Sequence, residues 1–180
     1  WSATTFPTLA FGQGYSVTAL QMASVYATLA NNGLRREPRL IAGITDAKGN
    51  YEVSPIVPGK RVVSAKTAAS VRLMLERVVS QDGTAPGAAI PGYRVGGKTG
   101  TANMYDASVG GYSGYTASFI GVVPIDKPEL VTAVIIHGPR GAHFGSLVSA
   151  PVFKKVTTYA LAHLRIPPSA TKQAHLPVKW

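Results

Sequence analysis

The 180-residue sequence contains no cysteine, which excludes disulfides and thiolate metal sites and by itself assigns no compartment. Its four histidines (His137, His143, His163 and His175) form no HxxxH or HExxH pattern with carboxylates, so no zinc site and no cofactor are expected. No apolar run approaches the ~18 residues that cross a bilayer. Acidic residues are also scarce: eight Asp and Glu against 18 Lys and Arg leave a formal charge of +10. That charge suits an anionic partner. Only Arg35-Arg36, Lys60-Arg61 and Lys154-Lys155 are adjacent, however, and no basic stripe is interleaved with aromatics. Nucleic acid is therefore not the expected partner, whereas anionic polymers of a cell surface fit. The opening, Trp1-Ser2-Ala3, has neither Met nor a charged leader and reads as a truncated or processed product.

What is present is a composition 46% hydrophobic and 14% charged, enough for one globular domain with a real core and too apolar for a disordered chain. Gly12 and Gly14 open the segment FGQGYSVTALQMASVYATLANNG. They lack the third glycine and preceding strand of a dinucleotide fingerprint, so they predict a tight turn. Thr18-Ala19-Leu20-Gln21 is a capping box. It starts a helix with Leu20, Ala23, Ala27 and Ala30 at helical spacing, stopped by Asn32-Gly33. RLIAGITDAKGNYEVSP reads as a hairpin turning at 46–49. A second helix is expected over about 64–81, with Ala68, Val71, Met74, Leu75 and Val78 on its apolar face and Gly83 as its stop.

Strands are expected over 97–104, 115–123 and 130–137, with a Gly/Tyr-rich loop at 106–114 and a hairpin-length link at 124–129. A last helix, about 147–164, carries Val148, Val152, Val156 and Tyr159 on one side. The Pro-rich residues 165–180 have no periodicity and read as a loosely held tail following a domain at 1–164. Hairpins with helices before and after them make an α+β layer structure rather than an alternating βαβ fold.

The stretch GYRVGGKTGTANMYD, 92–106, sets Lys98, Thr99 and Thr101 among glycines at a strand. Gly96, Gly97 and Gly100 remove side chains, so a ligand backbone can lie alongside as an added strand. Lys98 offers a cation, and Thr99 and Thr101 offer hydroxyl donors to a carboxylate. Strict alternation puts 99 and 101 on one face and 98 on the other, so a twist or bulge is needed to bring the three together. The same Lys98 also fits a solvated edge-strand lysine that discourages aggregation.

The ordered segments FGQG, VTALQMASVYATLANNG, GKTGTAN, YTASFIGVVP, LVTAVIIHGPRG and FGSLVSAPVFKKV resemble the penicillin-binding proteins, specifically class B transpeptidases of the cell-division type, over roughly residues 9–162. The Lys-Thr-Gly triplet belongs to these enzymes and to serine β-lactamases. The resemblance implies the antiparallel sheet with flanking helices of the β-lactamase/transpeptidase-like fold, in its C-terminal portion. It also implies a serine acyl-transfer that cross-links peptidoglycan stem peptides and that β-lactam antibiotics intercept. By the same resemblance Lys98 supports proton movement and draws the donor carboxylate. Thr99 and Thr101 bind that carboxylate beside Gly100, and the Thr101 N–H serves the oxyanion. Asn103 lines the donor cleft, and His143 and Phe144 wall it.

The family's Ser-x-x-Lys and Ser-x-Asn do not occur before Lys98. The single Ser-x-x-Lys, Ser169 to Lys172, lies downstream in the tail and reads as a decoy, because an exposed tail cannot lower the lysine pKa. The nucleophile is therefore expected on a serine-bearing N-terminal part of the same protein. By resemblance the partners include the cell-division machinery. The expected location is the extracytoplasmic face of a bacterial membrane, held by an N-terminal anchor absent from this chain. The alternatives are a β-lactamase or D,D-carboxypeptidase of the same fold, or a non-catalytic penicillin-binding sensor.

Overall fold

The computed structural model describes residues 3–12 and 14–173. A five-residue helix, α1 (Thr5–Leu9), precedes Gly12 and Gly14, whose φ values of 90° and 88° supply the expected turn. Helix α2 (Ala19–Ala30) starts at the capping box. The Gln21 N–H donates to Thr18 Oγ1 at 3.1 Å, and the Thr18 N–H donates to Gln21 Oε1 at 2.8 Å. Asn32 and Gly33, at φ 51° and 81°, end it, and a Cβ on Gly33 would strike the Val63 carbonyl. Two short pairings follow, β1 (Leu34–Arg35) with β4 (Lys60–Arg61) and β2 (Gly43–Thr45) with β3 (Tyr51–Val53). The β2–β3 turn is fixed by Asp46, whose carboxylate accepts from the Lys48 and Asn50 N–H groups and the Asn50 amide.

Helix α3 (Ala65–Val79) is capped by Ser64 Oγ, which accepts from the Thr67 N–H. Its buried residues are Ala68, Leu75, Glu76 and Val79, while Met74 is exposed, which corrects the expected face. Glu76 replaces the apolar residue that periodicity calls for because Arg94 takes both its carboxylate oxygens at 2.7 Å. Gly83 is also corrected as a positive-φ stop. The helix already ends at Ser80, and Gly83 does not occupy the left-handed region. Its N–H instead donates to the Ser80 carbonyl at 2.9 Å, with no room for a side chain against the Arg77 and Val78 carbonyls.

After a 3-10 turn at Pro86–Ala88 comes the central sheet, β5 (Gly96–Asp106), β6 (Gly111–Val123) and β7 (Leu130–His137), antiparallel in the order β5-β6-β7. The first two strands run further than expected and leave only 107–110 as the link. Tyr105 pairs with Tyr112 and Asp106 with Gly111, so the Gly/Tyr-rich segment extends the ladder. Helix α4 (Gly145–His163) covers one face, where the rings of Phe119 and Phe153 meet at 4.8 Å. On the other face a side chain at Gly96 would meet the backbone of Glu76, so α3 lies there. The core joins Phe119 and Val123 of the sheet with Ala88, Ile90, Val95, Ala150, Phe153 and Leu161.

Two expectations fail at the C-terminal end. Helix α4 buries Gly145, Ser149, Ala150, Phe153, Thr157 and Leu161, and exposes Val152, Val156 and Tyr159. The expected apolar side is therefore the outer one. Small residues and Phe153 face the sheet, since Gly121 leaves the room that the Phe153 ring occupies. The tail is tied down as far as Thr171. The Ile166 carbonyl accepts from the Tyr93 hydroxyl at 2.7 Å, and the Ser169 N–H donates to the Gly92 carbonyl at 3.0 Å. His175 and the last part of the tail lie outside the described residues.

Candidate active site

Strand β5 is the edge of the central sheet. Beside β6 it has no second partner among the described residues, so one side of the Lys98–Thr101 backbone faces outward. Gly96 and Gly97 are buried and let the strand pack close beneath. A Cβ on Gly97 would lie 2.7 Å from the Ile120 carbonyl and against the Phe119 ring. From Lys98 onward the strand emerges.

The convergence that alternation opposes is achieved by the length of the lysine. Lys98 Nζ turns back to donate to Thr99 Oγ1 at 3.1 Å and to the Thr99 carbonyl at 3.0 Å. No bulge is required there: the register slips only further on, between Asn103 and Tyr105. None of the ion pairs among the described residues includes Lys98.

Thr101 is placed differently. Its hydroxyl oxygen accepts the N–H of Gly145, the first residue of α4, at 3.1 Å. The N-cap residue of that helix, Phe144, makes no side-chain cap, so Thr101 satisfies one of the orphan donors from across the sheet. Only a lone pair is used, and the hydroxyl hydrogen remains to be donated. The contact depends on Gly145, where a Cβ would be driven into the Ser118 and Gly100 carbonyls. The positive end of a 19-residue helix thus stands directly behind the Thr101 hydroxyl, where negative charge is favoured.

Asn103 lies opposite Tyr115 in the β5–β6 register. The Tyr115 ring stacks on His143 with centroids 4.1 Å apart and planes at 14°, and His143 leans on Phe144 at 4.5 Å. Phe144 remains 53% exposed, so this short aromatic stack ends in a free ring face near the start of α4. His143, Phe144 and Thr101 are therefore brought to one neighbourhood by the helix start, and Asn103 joins through Tyr115. Tyr115 and Gly145 were not singled out from the sequence. Counting back along the 115–123 strand to the residue opposite Asn103 would have found the first. The second is the only glycine at the start of the last helix.

Ser169 belongs elsewhere. Its hydroxyl donates to Asp126 Oδ1 at 2.9 Å and accepts the Arg94 N–H at 2.9 Å, and Thr171 links Asp126 to Arg94 with two bonds of 2.7 Å. Burial alone would raise the Asp126 carboxyl, but the Thr171 and Ser169 hydroxyls and the Arg94 charge hold it below the usual range. Ser169 is thus a structural hydroxyl, held between the Asp126 carboxylate and the Arg94 N–H.

The described residues contain no group of three or more potential ligands that could hold a metal ion. No described helix is long and apolar enough to cross a membrane.

The architecture is that of an α+β, transpeptidase-like domain. Residues 1–158 match the penicillin-binding protein transpeptidase domain family, and the chain belongs to it. It is 37% identical over 177 residues to penicillin-binding protein PbpB of Mycolicibacterium smegmatis, covering 93% of this chain and 27% of that protein. It is 37% identical over 171 residues to the peptidoglycan D,D-transpeptidase FtsI of Escherichia coli, covering 94% of this chain and 27% of that one. Penicillin-binding protein 3 of Mycobacterium tuberculosis, solved in complex with aztreonam, superposes with a TM-score of 0.84 at 34% identity, over 97% of this chain and 42% of its own. The transpeptidase domain of Burkholderia pseudomallei penicillin-binding protein 3 gives 0.79 at 38%, over 95% and 50%. The chain therefore spans about a quarter of its curated relatives' length.

Proposed function

We propose that this chain supplies the Lys-Thr-Gly wall of the active site of a serine-type peptidoglycan D,D-transpeptidase. The supporting observation is the meeting of the Lys98 ammonium and Thr99 hydroxyl on the open edge of β5, with the Thr101 hydroxyl set against the α4 N-terminus. This is a carboxylate cradle: one mobile cation, two O–H donors and a helix dipole of matching sign.

A donor stem peptide lies along β5 with its terminal carboxylate at Thr99, Thr101 and Lys98. A serine from the part of the protein outside this chain attacks the carbonyl before the terminal D-Ala. The resulting oxyanion is held by the Thr101 N–H and the serine's own N–H. Collapse breaks the amide bond, and the departing D-Ala amine takes a proton. The acyl group then passes to an amine of a neighbouring stem peptide, which releases the serine. Lys98 carries charge and proton traffic beside this exchange. Gly100 admits the donor backbone, while Asn103, His143 and Phe144 flank it. A β-lactam enters as a donor mimic and stays as the acyl-enzyme.

Such a reaction belongs at the outer face of a bacterial membrane, with the anchor and any division-machinery contacts in the remainder of the protein. The test uses the complete protein and a fluorescent penicillin. Labelling of the wild type and its loss in Lys98→Ala are expected. Undiminished labelling of Lys98→Ala would refute the cradle.

A further inference from the structure

Beyond the cradle, a concavity of about 500 Å³ opens between β5–β6 and the turn after α1. Its size falls within the ~300–1,000 Å³ of small-molecule sites and far exceeds one amino-acid side chain. Tyr15, Ser16, Asn103, Tyr105 and Tyr112 line it, and the other described residues of its wall are glycine and alanine. The Tyr105 and Tyr112 rings stand at 84° with centroids 6.1 Å apart, forming an aromatic corner, and are 64% and 74% exposed.

We propose that this concavity binds the N-acetylated sugar that carries the donor stem peptide, an inference that rests on the transpeptidase reading. Position is the first argument. The opposite end of the cradle strand is closed, since Gly96 and Gly97 are buried, so a donor seated at Thr101 extends toward Asn103 and Tyr105. Tyr105 lies about 13 Å of strand rise past Thr101, the reach of a few extended residues. The root of a stem peptide, where the saccharide is attached, arrives at that corner.

Lining chemistry is the second argument. Among its described residues the wall has no charged side chain and no aliphatic side chain larger than alanine. A peptide segment would find neither a counter-ion for its carboxylates and amines nor a greasy slot for an apolar group. A saccharide needs neither. Its C–H faces pack on exposed tyrosine rings, and its hydroxyls and acetamido groups meet the Asn103 amide and the Tyr15 and Ser16 hydroxyls.

The experiment compares, in the complete protein, a stem pentapeptide with the same peptide bearing its N-acetylated disaccharide. Release of D-Ala gives kcat/KM for each. The wild type should prefer the sugar-bearing donor. Tyr105→Ala and Tyr112→Ala should reduce that preference by about five- to tenfold, the scale of one lost aromatic face, while Tyr112→Phe retains it. The free disaccharide should compete with the sugar-bearing donor on the wild type. An unchanged preference in both alanine variants, equal losses on the two donors, or no competition by the disaccharide would each overturn the sugar site. Absence of penicillin acylation in the wild type would instead remove the transpeptidase reading beneath it.

Discussion

The hydroxyl of Thr101 can serve two roles: its oxygen accepts the first N–H of α4, and its hydrogen remains available to donate. Thr101→Val keeps the shape and strand propensity but deletes both roles. In the complete protein it should lower acylation about ten- to a hundredfold, the worth of a hydrogen bond to a charged group. It should also cost about 1 kcal/mol of stability from the uncapped helix, read by denaturant titration. Thr101→Ser, which preserves the oxygen, should recover most of both losses. A Val variant with wild-type acylation would dissociate Thr101 from the carboxylate. Lys98→Arg should behave like Lys98→Ala in penicillin labelling. A planar fork does not fold back onto Thr99 as a compact ammonium does. Wild-type labelling in Lys98→Arg would mean that charge alone suffices.

Helix α4 sets the geometry of that residue, and it carries a buried defect. Ser149 is fully buried and its hydroxyl has no hydrogen-bond partner among the described residues. Ser149→Ala should leave stability unchanged or raise it by up to about 1 kcal/mol, and a loss larger than that would reveal a bond the hydroxyl makes. Gly145→Ala should do the reverse, costing about 1–3 kcal/mol as the methyl presses on the Ser118 and Gly100 carbonyls, and penicillin acylation should fall with it. At this scale local chemistry was legible: the Thr18 box, the Asp46 turn, the Gly33 stop and the three strands follow from side chains acting on their own backbone. Faces and partners were not. Val152, Val156 and Tyr159 have helical spacing as good as that of Phe153 and Leu161, and periodicity does not say which stripe meets the sheet. Glu76 reads as polar until Arg94, 18 residues away, takes its carboxylate. The Lys-Thr-Gly-Thr run was visible as a motif. Its coupling to Gly145 and Tyr115 depends on register between strands and on a helix 44 residues downstream.

Across the whole molecule, the central sheet holds the cradle on one edge, while a separate network anchors the segment that follows α4. The Ser169 and Thr171 hydroxyls link Asp126 to Arg94, and Arg94 joins the nearly buried Glu76. Asp126 is held below the ordinary carboxylate value, so its contribution is fully present above the unfolded pKa, ~3.9, and is lost as pH falls through the folded value. Asp126→Asn should therefore flatten part of the stability decline below about pH 4 and lower stability at pH 7. Equal acid slopes in the two proteins would contradict the network. Because Ser169 is committed to this anchor, the 180-residue chain by itself should take no covalent label from a fluorescent penicillin. A labelled band that Ser169→Ala removes would reverse that assignment. The same anchor sets an order for assembly on the ribosome. Glu76 and Arg94 emerge close together and can pair early, but Ser169 is made 75 residues after the Arg94 amide it receives. Until that late stretch clears the exit tunnel, Asp126 waits without its hydroxyl donors, so the lock on this face closes well after the central sheet has been made.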